Sequence, residues 1–445
     1  MTFEQIADFT LGNTKVPESA LDMAATLLID TLGVAAGAAQ MDAGVLARNH
    51  AFAFHGASLP EHAATMIFDG RKASIPGVAF AAATQIDNLD AHDGYNPTKG
   101  HIGCAVVPAL MAFTEAKPDL TGRDALAALV VAYEIAARAG VALHATVQDY
   151  HTSGAWNALG VAALGCRLNG ASVDQFRQAL GIAEYHGPRS QMMREIANPT
   201  MLHDGSGMGA LVGCMASLMA QSGFTGAPAI SVEADDVALY WDNLGSSWTI
   251  EENYIKPYPV CRWAHASLDA LLGLVEDHKF SADDVAAIRV NTFTEAAALF
   301  RGMPATTSQA QYSLPFALAS LLVNGHIGPN EITGDGLSDP AVKALLPRIS
   351  VQDAQRHTDR FPEGRWSDVT IVLKNGAELA SGDVHARGGP EAPISLGEVE
   401  RKFHVIAAAL PKERRRKIWA MRERLTATDV RFRELTQLIH APVEG

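Results

Sequence analysis

The chain is poor in cysteine, with four cysteines in 445 residues and no Cys-x-x-Cys pair. Zinc ribbons and ferredoxin-type iron–sulfur sites need closely spaced thiolates, so the sequence carries no contiguous motif for either. Distant cysteines can still converge in a fold, but buried apolar thiols are the favoured interpretation. We therefore expect no metal and no cofactor. The cysteines are Cys104, Cys166, Cys214 and Cys261.

The chain also lacks an excess of positive charge, because its formal net charge is −14. Nucleic-acid binders usually carry a basic stripe, so we expect no nucleic-acid partner. The one basic run, 412–417 (KERRRK), is interpreted as the solvated face of a helix rather than a polyanion site. A small acidic substrate stays possible, since a local cationic pocket can lie within an acidic protein.

No basic and apolar leader follows Met1, so the cytoplasm is the expected compartment. Residues 205–232 carry no charged side chain, but Gly, Ser, Gln, Thr and Pro interrupt them. A buried helix is therefore favoured over a membrane span, and we expect no membrane partner.

The composition, 48% hydrophobic and 19% charged, favours two domains over one. Helical periodicity in apolar segments predicts helices over 21–37, 124–144, 153–168, 173–183 and 206–221. Residues 286–293 and 368–373 are typical of strands, with a hairpin turn at 375–376. The predicted fold is mostly α: an all-α domain (1–268), a smaller α+β lid domain (269–392), and C-terminal helices (393–445) that return to the first domain.

Residues 87–104 (DNLDAHDGYNPTKGHIGC) pack an unusual density of titratable groups behind an apolar helix. Asp87, Asp90 and Asp93 are spaced three apart, so on a helix they would share a face and could hold a divalent cation. Capping or substrate orientation is favoured over a metal, because Lys99 would repel a cation.

Three later windows carry further candidates. His151 precedes an apolar helix, and His203 precedes a Gly/Ser-rich helix start suited to anionic oxygens. A third window (256–270) brings several basic groups together. Removing a proton beside a carboxylate needs a base near neutrality and groups that stabilise the anion formed. The residues that could supply them are Lys99, His101, His151, His203, Lys256, Arg262 and His265.

These motifs, taken in order, resemble the MmgE/PrpD family over nearly the whole chain. The segments that carry the resemblance are 28–33, 90–109, 131–138, 151–152, 202–205, 223–226, 256–259, 311–315 and 400–403 (ERKF). The resemblance implies a helical domain, a smaller lid domain, a homodimer and a site between the domains. It also implies 2-methylcitrate dehydratase, cis-aconitate decarboxylase or iminodisuccinate epimerase-like chemistry on a small carboxylate.

The resemblance also implies site residues. We predict catalytic roles for Asp93, His101, His151, Lys256 and His265, and substrate binding by Asp90, Lys99, His203, Arg262 and Tyr312. The chain departs from the family at Thr200, where many members have a lysine, and Lys99 is a candidate substitute. Ile102 and Thr152 likewise replace prolines.

The first hypothesis is a cofactor-independent, dehydratase-type lyase acting on a hydroxy-di- or tricarboxylate. Epimerisation and decarboxylation are the next alternatives, because both pass through similar carbanion character. A metal-dependent all-α enzyme using the three aspartates and a non-catalytic binding protein are the other two.

Overall fold

The protein is helix-rich, with one small sheet region between two helical parts. The computed structural model describes residues 1–443. The helices of the first part are α1 (Phe3–Leu11), α2 (Glu18–Gly37), α3 (Asp42–Phe54), α4 (Ile75–Asp87), α5 (Gly103–Thr114), α6 (Gly122–Thr146), α7 (Gly154–Leu168), α8 (Val173–His186), α9 (Met192–Ala197), α10 (Ser206–Gln221) and α11 (Ile230–Glu233). A two-stranded hairpin, β1 (Ala63–Thr65) with β2 (Lys72–Ser74), lies among them.

The core of this part is built from helices that are apolar on nearly every side. By length and composition, α2 and α6 could cross a membrane, but 83% and 89% of their most apolar windows is buried inside the protein. Helix α7 packs against α6, α8 and α10. Local signals fix the helix starts: Thr121 accepts a hydrogen bond from the amide of Asp124 at 3.0 Å, and Ser172 forms a capping box at α8.

The sheet region follows α12 (His265–His278). Its strands are β3 (Val285–Thr292), β4 (Ile349–Asp353), β5 (Trp366–Leu373), β6 (Glu378–Ala380) and β7 (Val384–His385), and its helices are α13 (Thr294–Ala297), α14 (Thr307–Gln311), α15 (Leu314–Asn324), α16 (Pro340–Leu345) and α17 (Gln355–Thr358). The strand order is β4-β3-β5-β6, with β7 also paired to β5. Strand β4 is parallel to β3, and the other pairs are antiparallel. Helix α12 packs on β5 and α15.

The last helices return to the first helical part. They are α18 (Leu396–Ile406), α19 (Lys412–Arg424) and α20 (Arg433–His440), and both α18 and α19 pack on α2. Buried Lys402 of α18 donates to Asp30 Oδ2 at 2.5 Å and to the carbonyl oxygen of Ala91 at 2.6 Å. Helix α18 therefore supports the aspartate-rich loop through Lys402.

The structure confirms the predicted helices and the two predicted strands within a few residues at each end. The helical face considered for the three aspartates is not formed: α4 ends at Asp87, so Asp90 and Asp93 lie in the loop after it. The left-handed φ of Asp90, +53°, turns the chain out of the helix there. The division of the chain at 268 and 392 stays a prediction.

Candidate active site

A small, closed cavity lies where the loop after α4 meets the sheet region. Its volume is about 20 Å³, enough for roughly one water molecule. The lining combines cations, carboxylates, phenols and one imidazole from both parts of the chain. The lining residues are Asp90, Lys99, His101, Tyr150, Met192, Asp204, Tyr254, Cys261, Arg262, Trp263, Tyr312 and Arg365.

His101 is the imidazole of this cavity. Its Nδ1 lies 2.6 Å from the carbonyl oxygen of Asp93, so a neutral ring carries its proton on Nδ1 and leaves Nε2 as a base. The backbone amide of His101 donates to Ser153 Oγ at 2.9 Å, which fixes the loop beside α7. Burial, followed by the nearby charge of Lys256, lowers the pKa of His101 to about 4. His101 is therefore a neutral base at pH 7.

Asp204 faces this base across the cavity. Its Oδ2 lies 3.6 Å from Nε2 of His101, and its Oδ1 accepts hydrogen bonds from the amide and hydroxyl of Ser153 at 3.3 and 3.0 Å. Burial raises the pKa of the Asp204 carboxyl. Burial therefore weakens proton binding at the imidazole of His101 and strengthens it at the carboxyl of Asp204.

Lys256 and Asp90 form a buried ion pair at the wall of the cavity. Lys256 is fully buried, and its ammonium group donates to Asp90 Oδ1. Burial raises the pKa of Asp90, while Lys256 acts in the opposite direction. Lys256 therefore neutralises Asp90 in this closed cavity.

Three further cations face the cavity without a carboxylate partner in the described residues 1–443. Arg262 donates to the carbonyl oxygens of Arg387 and Ala386 and lies 4.2 Å from the ring centre of Tyr254. Arg365 donates to the carbonyl oxygen of Pro362. Both guanidinium groups are buried, and burial lowers the pKa of Arg262 to about 10.

Lys99 is the third of these cations and is only half-buried. Its Nζ lies 5.0 Å from the ring centre of Tyr150, whose hydroxyl donates to the backbone carbonyl of Lys99. Burial and the nearby Arg365 lower the pKa of Lys99. The lining contains two carboxylates, and only Asp204 is not paired with a lysine. The three cations therefore outnumber the unpaired carboxylate, which makes the lining suited to an anion.

Two predicted catalytic residues lie behind the cavity wall instead of lining it. Asp93 accepts a hydrogen bond from the amide of Gly103 at 3.4 Å, and burial raises its pKa to about 7. Gly103 is required there, because a Cβ would lie 2.1 Å from Asp93 Oδ1. His265 Nε2 lies 3.0 Å from the carbonyl oxygen of Val260. Both side chains support the loops that line the cavity.

The other two predicted histidines also lie beside the cavity. The backbone amide of His151 donates to Nε2 of His144 at 3.2 Å, and its neighbour Tyr150 takes the place on the cavity wall. The ring of His203 lies 5.7 Å from that of Tyr312, between ring centres. Burial lowers the pKa of His203 to about 4.

Two of the three side-chain groups in residues 1–443 that could hold a metal include His92, which is fully buried and has no hydrogen-bond partner among these residues. One group is Asp87, His92 and Cys104, and a second joins His92 to Asp90 and His101. The remaining group, in the sheet region and outside the cavity lining, is His357, Asp368 and Asp383. The three aspartates of the metal hypothesis do not converge. In the first group, burial raises the pKa of Cys104 well above its usual value, which disfavours the thiolate that a metal would need. In the second group, the ammonium group of Lys256 already occupies Asp90 and would repel a cation.

Thr200 lies outside this cavity. It is exposed and lines a separate groove of about 970 Å³, together with residues of 305–308 and 329–337. Lys99 lines the small cavity, so Lys99 and Thr200 lie in different pockets of this structure.

Sequence reasoning did not assign site roles to several lining residues. They are Tyr150, Met192, Asp204, Tyr254, Cys261, Trp263 and Arg365. Asp204 stood in a window already singled out, so its proximity to His203 was an available signal. For Arg365 the only sequence signal was its position just before a strand. Its place in the lining depends on how the sheet region packs against the helical part.

Comparisons with known proteins match both parts of the chain. The model of the MmgE/PrpD N-terminal domain matches residues 4–240, and that of the MmgE/PrpD C-terminal domain matches residues 258–427. The chain belongs to the MmgE/PrpD family. It is also similar to the cis-aconitate decarboxylase-like protein oryM of Aspergillus oryzae (strain ATCC 42149 / RIB 40), with 22% identity over 401 residues, 79% of each chain. MmgE/PrpD proteins are generally dehydratases, decarboxylases or other lyases, which supports an enzyme.

Proposed function

We propose that this MmgE/PrpD protein is a dehydratase-type lyase that removes a proton beside a carboxylate of a small hydroxy-di- or tricarboxylate. The observation that carries the proposal is the orientation of His101. Its Nε2 faces a cavity lined by three cations, while Nδ1 is held by the carbonyl of Asp93. A neutral base and an anion-binding lining are the two things that this chemistry needs.

The cations have separate parts in this mechanism. Arg262 and Arg365 are anchored by backbone carbonyls and buried, so they can each hold a substrate carboxylate with little loss of side-chain entropy. Lys99 stands at the half-buried edge of the cavity. Proton removal places negative charge on the carboxylate next to the reacting carbon, and a fixed guanidinium beside that group lowers the barrier.

The reaction requires the cavity to open. A space of about 20 Å³ holds one water molecule, whereas a di- or tricarboxylate is several times larger. Arg365 and Tyr312 reach the cavity from the sheet region, and Asp90, Lys99 and His101 reach it from the helical part. We infer that the sheet region moves away as a lid to admit substrate and returns to exclude water.

Turnover of matched substrates tests the proposal. We expect the purified protein to convert a hydroxydicarboxylate or hydroxytricarboxylate to its unsaturated product, and to lose most activity on a monoester of the same skeleton. Arg365→Gln should raise KM for the diacid more than for the monoester, whereas exposed Arg401→Gln should change neither. Turnover that is equal for acid and ester would contradict a carboxylate-binding role.

Decarboxylation is the second candidate function. The name of the Aspergillus oryzae relative, a cis-aconitate decarboxylase-like protein, favours it, and loss of CO2 builds the same kind of carbanion. Release of CO2 from an unsaturated tricarboxylate, without loss of water from any hydroxy acid, would replace dehydration by this reaction. Activity in both cases should survive a chelator, because protein side chains supply the proposed acid, base and charges.

We further propose a homodimer formed through the outer face of α10. Met208 and Met215 are 46% and 43% exposed there, and the neighbouring Leu202 is 78% exposed. An apolar helical face of this kind on a helix without charged residues is typical of a protein–protein contact.

A further inference from the structure

The segment that presents Asp204 is held in an unusual backbone conformation. His203 and Gly205, on either side of it, both have left-handed φ angles, +43° and +67°. A non-glycine residue in this region is strained and persists where its surroundings fix it. The amide of Gly154 donates to the carbonyl oxygen of Asp204 at 2.9 Å, which ties the turn to the start of α7. The strained turn therefore aims one carboxyl group into the cavity.

The two oxygens of this carboxyl have different surroundings. Oδ1 accepts from both the amide and the hydroxyl of Ser153. The same hydroxyl accepts from the amide of His101, so its own hydrogen is free to point to Asp204. Oδ2 instead faces Nε2 of His101 at 3.6 Å. A proton on this carboxyl consequently belongs on Oδ2, on the cavity side.

We propose that Asp204 is the acid that protonates the leaving hydroxyl group, with His101 as the base. This inference rests on the proposed lyase function. In the first step, Nε2 of His101 takes the proton from the carbon beside the substrate carboxylate, and the C–H electron pair is delocalised into that carboxylate. In the second step, this electron pair forms the new double bond. The C–O bond breaks with its electron pair on oxygen, and Oδ2 of Asp204 gives that oxygen a proton, so water leaves.

The two groups also restore each other. After both steps, His101 is an imidazolium and Asp204 a carboxylate, with Nε2 and Oδ2 3.6 Å apart in the closed cavity. Transfer of the proton from Nε2 to Oδ2 returns both to their starting forms, and no external acid or base is consumed. Burial favours the protonated form of Asp204 at the start. The carboxyl of Asp87 lies nearby, and repulsion between two carboxylates disfavours the ionisation of both Asp87 and Asp204.

Separating the two proton transfers tests the role of Asp204. Asp204→Asn keeps an oxygen for Ser153 but has no proton to transfer. We expect dehydration of the hydroxy acid to fall by roughly 100- to 10,000-fold, the usual contribution of a positioned acid. Exchange of the C–H hydrogen with D2O should persist within a few-fold, because His101 is unchanged. Elimination of fluoride from the β-fluoro analogue should also persist, since fluoride needs little help from an acid.

The controls distinguish an acid from a merely structural residue. Exposed Asp119→Asn should leave every rate unchanged, and Asp204→Glu should recover part of the dehydration. The kcat of wild type should fall as pH rises through the ionisation of the acid, and Asp204→Asn should lack this alkaline limb. Circular dichroism and thermal unfolding check that each variant is folded.

Three outcomes would overturn the inference. If Asp204→Asn loses exchange and both eliminations to the same extent, Asp204 acts through His101 as a positioning residue. If the variant dehydrates at the wild-type rate, another group is the acid. If wild type itself neither exchanges nor eliminates with any of the acids, the proposed function fails and the role of Asp204 fails with it.

Discussion

At the residue scale, the state of His101 depends on burial more than on its own chemistry. A solvated imidazole titrates near pH 6.5, whereas burial and Lys256 lower the pKa of His101 to about 4. The base is the neutral form, so lowering the pKa extends activity toward acid. The carbonyl of Asp93 fixes which nitrogen is free.

The pH dependence of kcat/KM tests this state directly. As the pH is lowered from 7 to below 6, we expect no loss of kcat/KM, and a fall only as the pH approaches about 4, where His101 gains its proton. Circular dichroism over the same range separates titration from acid unfolding. An acid limb centred near 6.5 would mean that His101 is solvated and would contradict the closed site.

The buried pair of Lys256 and Asp90 gives a prediction about stability. Removal of one partner leaves an uncompensated buried charge, so Lys256→Met should lower the free energy of unfolding by about 3–5 kcal/mol. Lys256→Met with Asp90→Asn should lower it by less than the sum of the single changes, as measured by urea unfolding. The exposed pair of Arg289 and Glu378 is the control, where Arg289→Met should have an effect below about 1 kcal/mol. Additive effects at the buried pair would contradict a direct coupling.

The residue types at the site were largely predictable, but their positions were not. The density of titratable groups in 87–104 led to His101, Lys99 and Asp90, which all line the cavity. The family resemblance gave His265 and Asp93 catalytic roles, and both side chains lie behind the cavity wall. Sequence spacing shows which groups are close along the chain, and only the packed loops decide which atoms face the substrate.

At the element scale, α18 packs with α19 on α2 and so joins the end of the chain to its beginning. Its Phe403 ring packs so closely on α2 that a Cβ on Gly33 would lie 2.4 Å from ring carbon Cδ2. Lys402, one residue earlier, bonds Asp30 of α2 and the carbonyl of Ala91 in the aspartate-rich loop. The contact between α2 and α18 therefore supports the aspartate-rich loop through Lys402.

Gly33→Ala tests this contact. We expect a loss of about 1–3 kcal/mol in the free energy of unfolding, because the Phe403 ring must move to admit a methyl group. Phe403→Leu in the same chain should recover part of the loss. Gly273→Ala on α12 meets nothing within 4 Å and should stabilise by about 0.5–1 kcal/mol, since alanine favours a helix. Equal effects of the two alanines would contradict tight packing at Gly33.

Elements with a strong period were predictable, and those defined by tertiary pairing were not. Helix α10 begins and ends at the predicted residues, because an apolar, uncharged run between two turns has few alternatives. Strand β4 was missed, since its five residues are half-buried or exposed and it is fixed by parallel pairing with β3. Local preference is weak for a short strand whose partner lies about 60 residues away.

At the scale of the whole molecule, the exposed methionines of α10, Met208 and Met215, are not among the residues that line the closed cavity. Assembly through α10 should therefore be separable from the charge of the cavity. We expect Met215→Glu to convert a dimer to a monomer in light scattering after size-exclusion chromatography, because the carboxylate would be buried in an apolar contact. Leu396→Glu, at a side chain 45% exposed on α18, should leave the dimer intact. A monomeric wild type would contradict this assembly.

The central claim is that the chain breaks a C–H bond beside a carboxylate with His101 as the base. Proton NMR in D2O, with a panel of hydroxy-di- and tricarboxylates, cis-aconitate and aminodicarboxylates, measures that bond directly. We predict deuterium incorporation with loss of water for at least one hydroxy acid, with or without a chelator, and no incorporation for His101→Asn. Exchange with a change of configuration alone would place epimerisation first. No exchange from any member of the panel, or undiminished exchange by His101→Asn, would contradict the account.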